Sequence, residues 1–171
     1  MSRQNLWAPW RISYLQQLAD EPGKCFLCEA SRADASDHQH ASNLVLLCDE
    51  RGVLLLNRYP YTNGHLLVAP LDHRGNLSDM NAAQRANLME LAELGSRALH
   101  LTINPQGINL GMNLGRCAGA GVPGHAHMHI VPRWHGDVNF MEVVGGVRVI
   151  PQTLEQSYCT LREAIKQLAA A

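Results

Sequence analysis

From residue 124 onward, Ala126, Met128 and Ile130 alternate with His125, His127 and His129. A period of two predicts a strand, because successive side chains on an extended backbone point to opposite faces. The three imidazoles then stand in one row, their β-carbons about 7 Å apart, with an apolar row behind them fit to pack on a core. Wound as a helix, the same residues would scatter the rings. Pro132 marks the expected end of this strand. Three more apolar runs, 44–48, 53–56 and 65–70, read as short strands. Asp49, Glu50, Arg51 and Gly52 form a hairpin-like link between the first two. Residues 57–64, with Pro60 and the Asn63-Gly64 pair, turn the chain between the second and third. Residues 108–114 alternate again, with Asn109 and Asn113 on the face of Gly111. Short strands joined by short links predict an antiparallel sheet.

Helical spacing takes over elsewhere. Leu88, Leu91, Ala92, Leu94, Ala98 and Leu99 recur at that period and predict a long amphipathic helix over 82–101, with Ser78 as its N-cap. Residues 104–107 end it. A last helix is predicted over 152–169, behind Pro151, with Leu154, Tyr158, Leu161, Ile165 and Leu168 on its inner stripe. The polar stretch 34–40, including His38 and His40, reads as a solvated loop. Residues 135–140 and the Gly145-Gly146 pair read as irregular. Trp7 and Trp10 near the start read as cover over the core.

Composition narrows the class. A chain of 171 residues fits one domain with a proper core. With 14 Lys+Arg against 15 Asp+Glu, no global field recruits nucleic acid or a membrane surface. No apolar run reaches membrane-spanning length, and the first residues lack the apolar core of a signal peptide. Five cysteines, an odd number that includes a C-x-x-C pair, argue against a secreted disulfide framework and for a reducing cytoplasm.

The chemistry is concentrated around the histidines. A row of imidazoles adds little to packing, and each ring brings two nitrogens that need partners. Such a row points to a metal-binding or nucleophilic site. Immediately before it, Gly115, Gly119, Gly121 and Gly124 would let backbone amides approach an anion. An anion held beside a nucleophilic imidazole is a phosphoryl site. Cys25 and Cys28 have zinc half-site spacing, but no second pair follows at finger spacing, so their metal role stays open on spacing alone. Asn57, His65 and His73 fall at strand ends and turns, where ligand-contacting side chains tend to sit.

The row from His125 to Val131 resembles the signature of the histidine triad (HIT) superfamily. The likeness extends to residues 6–11, to 57–65, to Asn113-Leu114-Gly115 and to 131–140, and is strongest to the bacterial branch holding diadenosine tetraphosphate hydrolases and phosphorylases. The resemblance implies an α+β fold with an antiparallel sheet of about five strands, one long central helix and a C-terminal helix. It implies a single domain over 1–171: an N-terminal arm 1–40, a core 41–134 and a C-terminal extension 135–171. It also implies a homodimer with joined sheets. The implied activity is nucleotidyl transfer from a nucleoside polyphosphate. His127 would be the nucleophile that takes the α-phosphate, and His125 and His129 would flank it, fixing its tautomer and bonding phosphate or leaving-group oxygens. Asn57 matches a ribose-contacting position and His65 the histidine opening the Gly-His strand. Asn113 and the backbone from Gly119 to Gly121 match phosphate contacts. Gly121 stands where many hydrolases carry Gln, and Val122 where phosphorylase-like relatives carry Ser, which leaves the acceptor open. Transfer to a sugar phosphate and a nucleotide- or zinc-binding module are the alternatives. Zinc-bearing relatives imply a structural zinc on Cys25, Cys28, His73 and His125, with His38 or His40 able to replace His73.

Overall fold

A computed structural model describes residues 25–32, 34–137, 144–145 and 149–170. Trp7, Trp10 and Gly146 lie outside the described residues. Among those described, five strands form one antiparallel sheet: β1 (Val45–Asp49), β2 (Gly52–Leu56), β3 (Leu66–Ala69), β4 (Gly107–Met112) and β5 (Met128–Arg133). Their spatial order is β1-β2-β3-β5-β4. The helices are α1 (Phe26–Ala30), α2 (Asp37–Ser42), α3 (Ala82–Ile103) and α4 (Leu154–Ala169). None is long and apolar enough to cross a membrane.

The register decides what each face carries. Leu66 pairs with Ile130, Leu67 with His129 and Val68 with Met128. Leu66, Val68, Met128 and Ile130 therefore share one face, and Leu67 and His129 the other. On the first face, Leu88, Leu91 and Leu99 of α3 and Leu161 and Ile165 of α4 bury Leu54, Leu56, Leu66, Val68, Ala126 and Ile130. Each such leucine contributes about 1.5–3 kcal/mol by leaving water. Gly95 lets α3 sit close, since a Cβ there would lie 3.0 Å from Ile130 and 3.2 Å from Leu66. On the second face, α1 lays Leu27 and Ala30 over Val53, Leu55, Leu67 and Ala69. The histidines share this second face.

Several boundaries differ from the sequence expectation. β5 starts at Met128, so His125 and His127 precede the ladder. They still alternate with Ala126, which joins the core beside Ile130. The ladder stops there because β3 ends at Ala69 and the next residue, Pro70, has no N–H to offer. At its other end β5 runs through Pro132 to Arg133. The Pro132 carbonyl accepts from Thr62 Oγ1 at 3.0 Å, on the β3 side. Its nitrogen faces the same side, where β3 pairing has already stopped at Ile130, so no ladder bond is lost.

Ser78 lies in a short 3-10 turn, Leu77–Asp79; the cap of α3 is Asn81, in a reciprocal box with Gln84. The polar stretch 34–40 is largely helix rather than loop. Ser36 and Gln39 form a capping box for α2, and Asp37 binds Arg162 of α4 at 2.7 Å. Asn113 lies one residue past β4, and α4 begins after a Thr153 cap.

Candidate active site and metal centre

His125, His127 and the incoming His65 are the buried histidines of the histidine face, at 0%, 6% and 0% exposure. His129 is half-buried beside them. The rings of His127 and His129 stand 5.0 Å apart, and those of His65 and His129 5.2 Å. Three one-way contacts set the tautomers. The Nδ1 of His127 lies 2.9 Å from the His125 carbonyl oxygen. A carbonyl only accepts, so Nδ1 carries the proton and Nε2 keeps its lone pair. The Nε2 of His125 donates to the Pro70 carbonyl at 2.9 Å, which leaves its Nδ1 as a bare lone pair. The Tyr61 backbone N–H donates to His65 Nδ1 at 3.1 Å. The remaining proton of neutral His65 is then on Nε2, which donates to His129 Nδ1 at 3.0 Å. His129 in turn carries its own proton on Nε2.

Burial disfavours the charged form of His65, His127 and His125. It pushes His65 down to about 3, helped by the neighbouring His129 and His127. Burial likewise lowers His127, against the opposing pull of the His125 carbonyl, and lowers His125 against its bond to Pro70.

His125 turns its free Nδ1 away from His127, towards two thiols. Cys25 Sγ lies 3.3 Å from it and Cys28 Sγ 3.4 Å, while His73 Nδ1 lies 3.2 Å from Cys28 Sγ. The four ligand atoms all fall within 4.8 Å of one another. Zinc–sulfur bonds of about 2.3 Å and zinc–nitrogen bonds of about 2.05 Å require tetrahedral edges of roughly 3.3–3.8 Å. The donor set fits a Cys₂His₂ zinc. Burial and the adjacent Cys25 push the Cys28 thiol up to about 11, an environment in which a divalent cation is the natural counter-charge to paired thiolates. His38 and His40 are absent from this cluster; both ride on α2.

The HIT domain family model matches residues 38–136, more than half of the chain. The chain belongs to the HIT domain family. It is 37% identical over 163 residues, 90% of this chain and 80% of the relative, to a Mycobacterium tuberculosis protein named AP-4-A phosphorylase. Among solved structures it is similar to a zinc-bound histidine triad family protein of Mycobacterium smegmatis, with a TM-score of 0.67, 30% identity, and coverage of 86% of this chain and 96% of that one. A hypothetical histidine triad nucleotide-binding protein of Sulfolobus tokodaii gives a TM-score of 0.65 at 27% identity, covering 84% and 93%.

The expected site residues of this HIT protein divide in two. His65, His127 and His129 come together, and Cys25, Cys28, His73 and His125 form a second cluster against them. His125 differs from its expected role in detail. Its carbonyl, not its ring, meets His127, because both ring nitrogens face other partners. Asn57 also serves the interior: its Oδ1 accepts from the Tyr59 N–H at 3.0 Å and its Nδ2 lies 3.2 Å from His65 Nδ1.

In the glycine-rich loop, the Gly119 amide donates to the Arg116 carbonyl and the Ala120 amide to the Gly115 carbonyl. These two amides close the loop on itself. Gly119 adopts φ +91°, as the turn after Arg116–Ala118 requires. Gly121 follows in a bend.

Two contributors were not legible in the sequence as site residues. Tyr61 supplies the amide to His65, and its ring stacks 5.9 Å from His129 at 18°. Pro70 supplies the carbonyl to His125. The Tyr61 amide and the Pro70 carbonyl are backbone groups, which leave no residue-type signal.

Proposed function

We propose that this HIT protein is a nucleotidyl hydrolase or transferase that cleaves nucleoside polyphosphates, such as diadenosine tetraphosphate, at the α-phosphate. The observation that carries this reading is the orientation of His127. With Nδ1–H bound to the His125 carbonyl, Nε2 presents a lone pair from a ring that burial keeps unprotonated.

In the first step the Nε2–phosphorus bond forms as the bond from the α-phosphorus to its bridging oxygen breaks. His129, with its proton on Nε2, donates a hydrogen bond to the departing oxygen. The leaving nucleoside polyphosphate goes as an anion, so His129 need not surrender that proton. In the second step an acceptor oxygen attacks the nucleotidyl-histidine, the nitrogen–phosphorus bond breaks, and Nε2 recovers its lone pair. Asn113, Gly119 and Gly121 would lie along the phosphates, and Asn57 would reach the ribose edge while holding His65.

The acceptor we favour is inorganic phosphate. Water must lose a proton as it attacks, yet both nitrogens of His65 and of His125 are engaged and His129 Nε2 already carries its proton. Phosphate arrives with an oxygen already deprotonated. The relative named AP-4-A phosphorylase supports the same choice.

Zinc on Cys25, Cys28, His73 and His125 would be structural, pinning α1 through its cap and Cys28 to the residue whose carbonyl orients His127. Strand β4 is an edge of the sheet, with Leu110 46% exposed on it, and suits pairing with a second copy in a homodimer. Five free cysteines fit a reducing cytoplasm.

The test is incubation with diadenosine tetraphosphate, with and without phosphate, followed by separation of the nucleotides. ADP plus ATP formed only with phosphate means phosphorolysis, and AMP plus ATP means hydrolysis. Alkaline quenching should trap adenylate on the peptide bearing His127, because a nitrogen–phosphorus bond survives base and is broken by acid. Tight binding without turnover would leave a nucleotide-binding module instead.

A further inference from the structure

The loop between β3 and the turn at Leu77 lies against the segment that leads into β5. Three contacts stitch them. His125 Nε2 donates to the Pro70 carbonyl at 2.9 Å, and the Ala126 N–H donates to the Arg74 carbonyl at 2.6 Å. Gly75 faces the other segment directly, since a Cβ on it would lie 3.0 Å from the Pro123 oxygen and 3.5 Å from Gly124 Cα. His73 sits on this loop and is exposed to solvent. An exposed loop histidine samples several rotamers, so something must aim it.

One edge of the His73 ring meets Cys28 through Nδ1. The other edge lies over Gly124: a Cβ built there would stand 2.8 Å from His73 Nε2. Gly124 is not among the glycines with positive φ, so its backbone would accept an ordinary residue. What excludes a side chain is the imidazole itself.

We infer that Gly124 is a positioning residue of the metal centre, its missing side chain forming the socket that aims His73 at Cys28 and makes it the fourth ligand. This rests on the reading of Cys25, Cys28, His73 and His125 as a zinc site. Ordinary contact begins near 3.4 Å, so a methyl at 124 would displace the ring by about 0.6 Å. Metal–ligand bonds tolerate roughly 0.2 Å. The ring cannot both clear the methyl and keep its place.

The experiment measures zinc affinity by chelator competition on the full chain in wild type, Gly124→Ala, His73→Ala and the double variant. Gly124→Ala should weaken zinc by about 10–100-fold, the range for groups that orient ligands. In the His73→Ala background it should change nothing further, because no ring remains to collide with. Cobalt loaded into Gly124→Ala should keep its thiolate charge-transfer bands while its ligand-field bands move. Should Gly124→Ala alone fail to fold while the double variant folds, the ring collision is still the cause. Wild-type affinity in Gly124→Ala, an equal loss in both backgrounds, or a double variant that also fails to fold overturns the inference. If wild type holds no zinc, the metal-site reading falls and takes this inference with it; zinc in wild type with an indifferent Gly124→Ala sinks the inference alone.

Discussion

The carbonyl of His125 and the Nδ1 of His127, 2.9 Å apart, join the two clusters of this protein. The residue that faces the thiols with its ring is the residue that orients the proposed nucleophile with its backbone. A shift of His125 would tilt the lone pair of His127, and positioning errors of an ångström at a reacting atom cost about 100-fold in rate.

His127→Ala should abolish turnover of diadenosine tetraphosphate by at least about three orders of magnitude, since the lone pairs of His65, His125 and His129 on Nδ1 are turned to Tyr61, the two thiols and His65. Nucleotide binding should survive, as read by titration calorimetry. More than a tenth of the wild-type rate would defeat the assignment.

Stability should fall on acidification, with His65 a main cause. Its folded value is about 3, against roughly 6.5 when exposed in the unfolded chain. Between those values the unfolded chain binds a proton that the folded chain refuses. The contribution of neutral His65 is therefore complete above about pH 6.5 and is lost as pH drops towards 3. The slope is at most about 1.4 kcal/mol per pH unit from this residue. Urea unfolding of wild type and His65→Gln at several pH values checks it: the variant should show the shallower dependence, and equal slopes would refute the account.

One zinc per chain is expected by elemental analysis, and none in Cys25→Ser/Cys28→Ser. The double variant should also melt at lower temperature than zinc-loaded wild type, because a ligand held only by the folded state stabilises it. Chelator-washed wild type that never held zinc, or a double variant that still does, would remove the metal centre.

Gly64 turns the chain into His65 at φ +75°, and a Cβ there would come within 2.6 Å of Ile103 and 2.9 Å of Leu99. Gly64→Ala combines a left-handed backbone with overpacking and should cost about 2–4 kcal/mol. Denaturant melts read the loss directly. A change under about 0.5 kcal/mol would mean that the turn relaxes freely.

Local pattern determined much of this protein. The period of two at 125–130 separated histidines from core residues, and the stripe on α3 foretold its buried face, because both depend only on how neighbouring side chains are disposed along one element. The short apolar runs placed the strands to within a residue or two. Local pattern misjudged the start of α3, where Asn81 rather than Ser78 caps, and the stretch 34–40, where a capping box outweighed polar composition.

Tertiary structure alone decided the partners. Cys25 and His125 are 100 positions apart, and only the insertion of β5 between β3 and β4 brings α1 and the histidine face together. Which histidine would complete the proposed metal set was open in the sequence; in the fold His73 lies over Gly124 within reach of Cys28, while His38 and His40 ride on α2 away from the cluster. The tautomers were likewise invisible. They depend on backbone groups of His125, Pro70 and Tyr61, and every residue type but proline offers the same N–H and C=O.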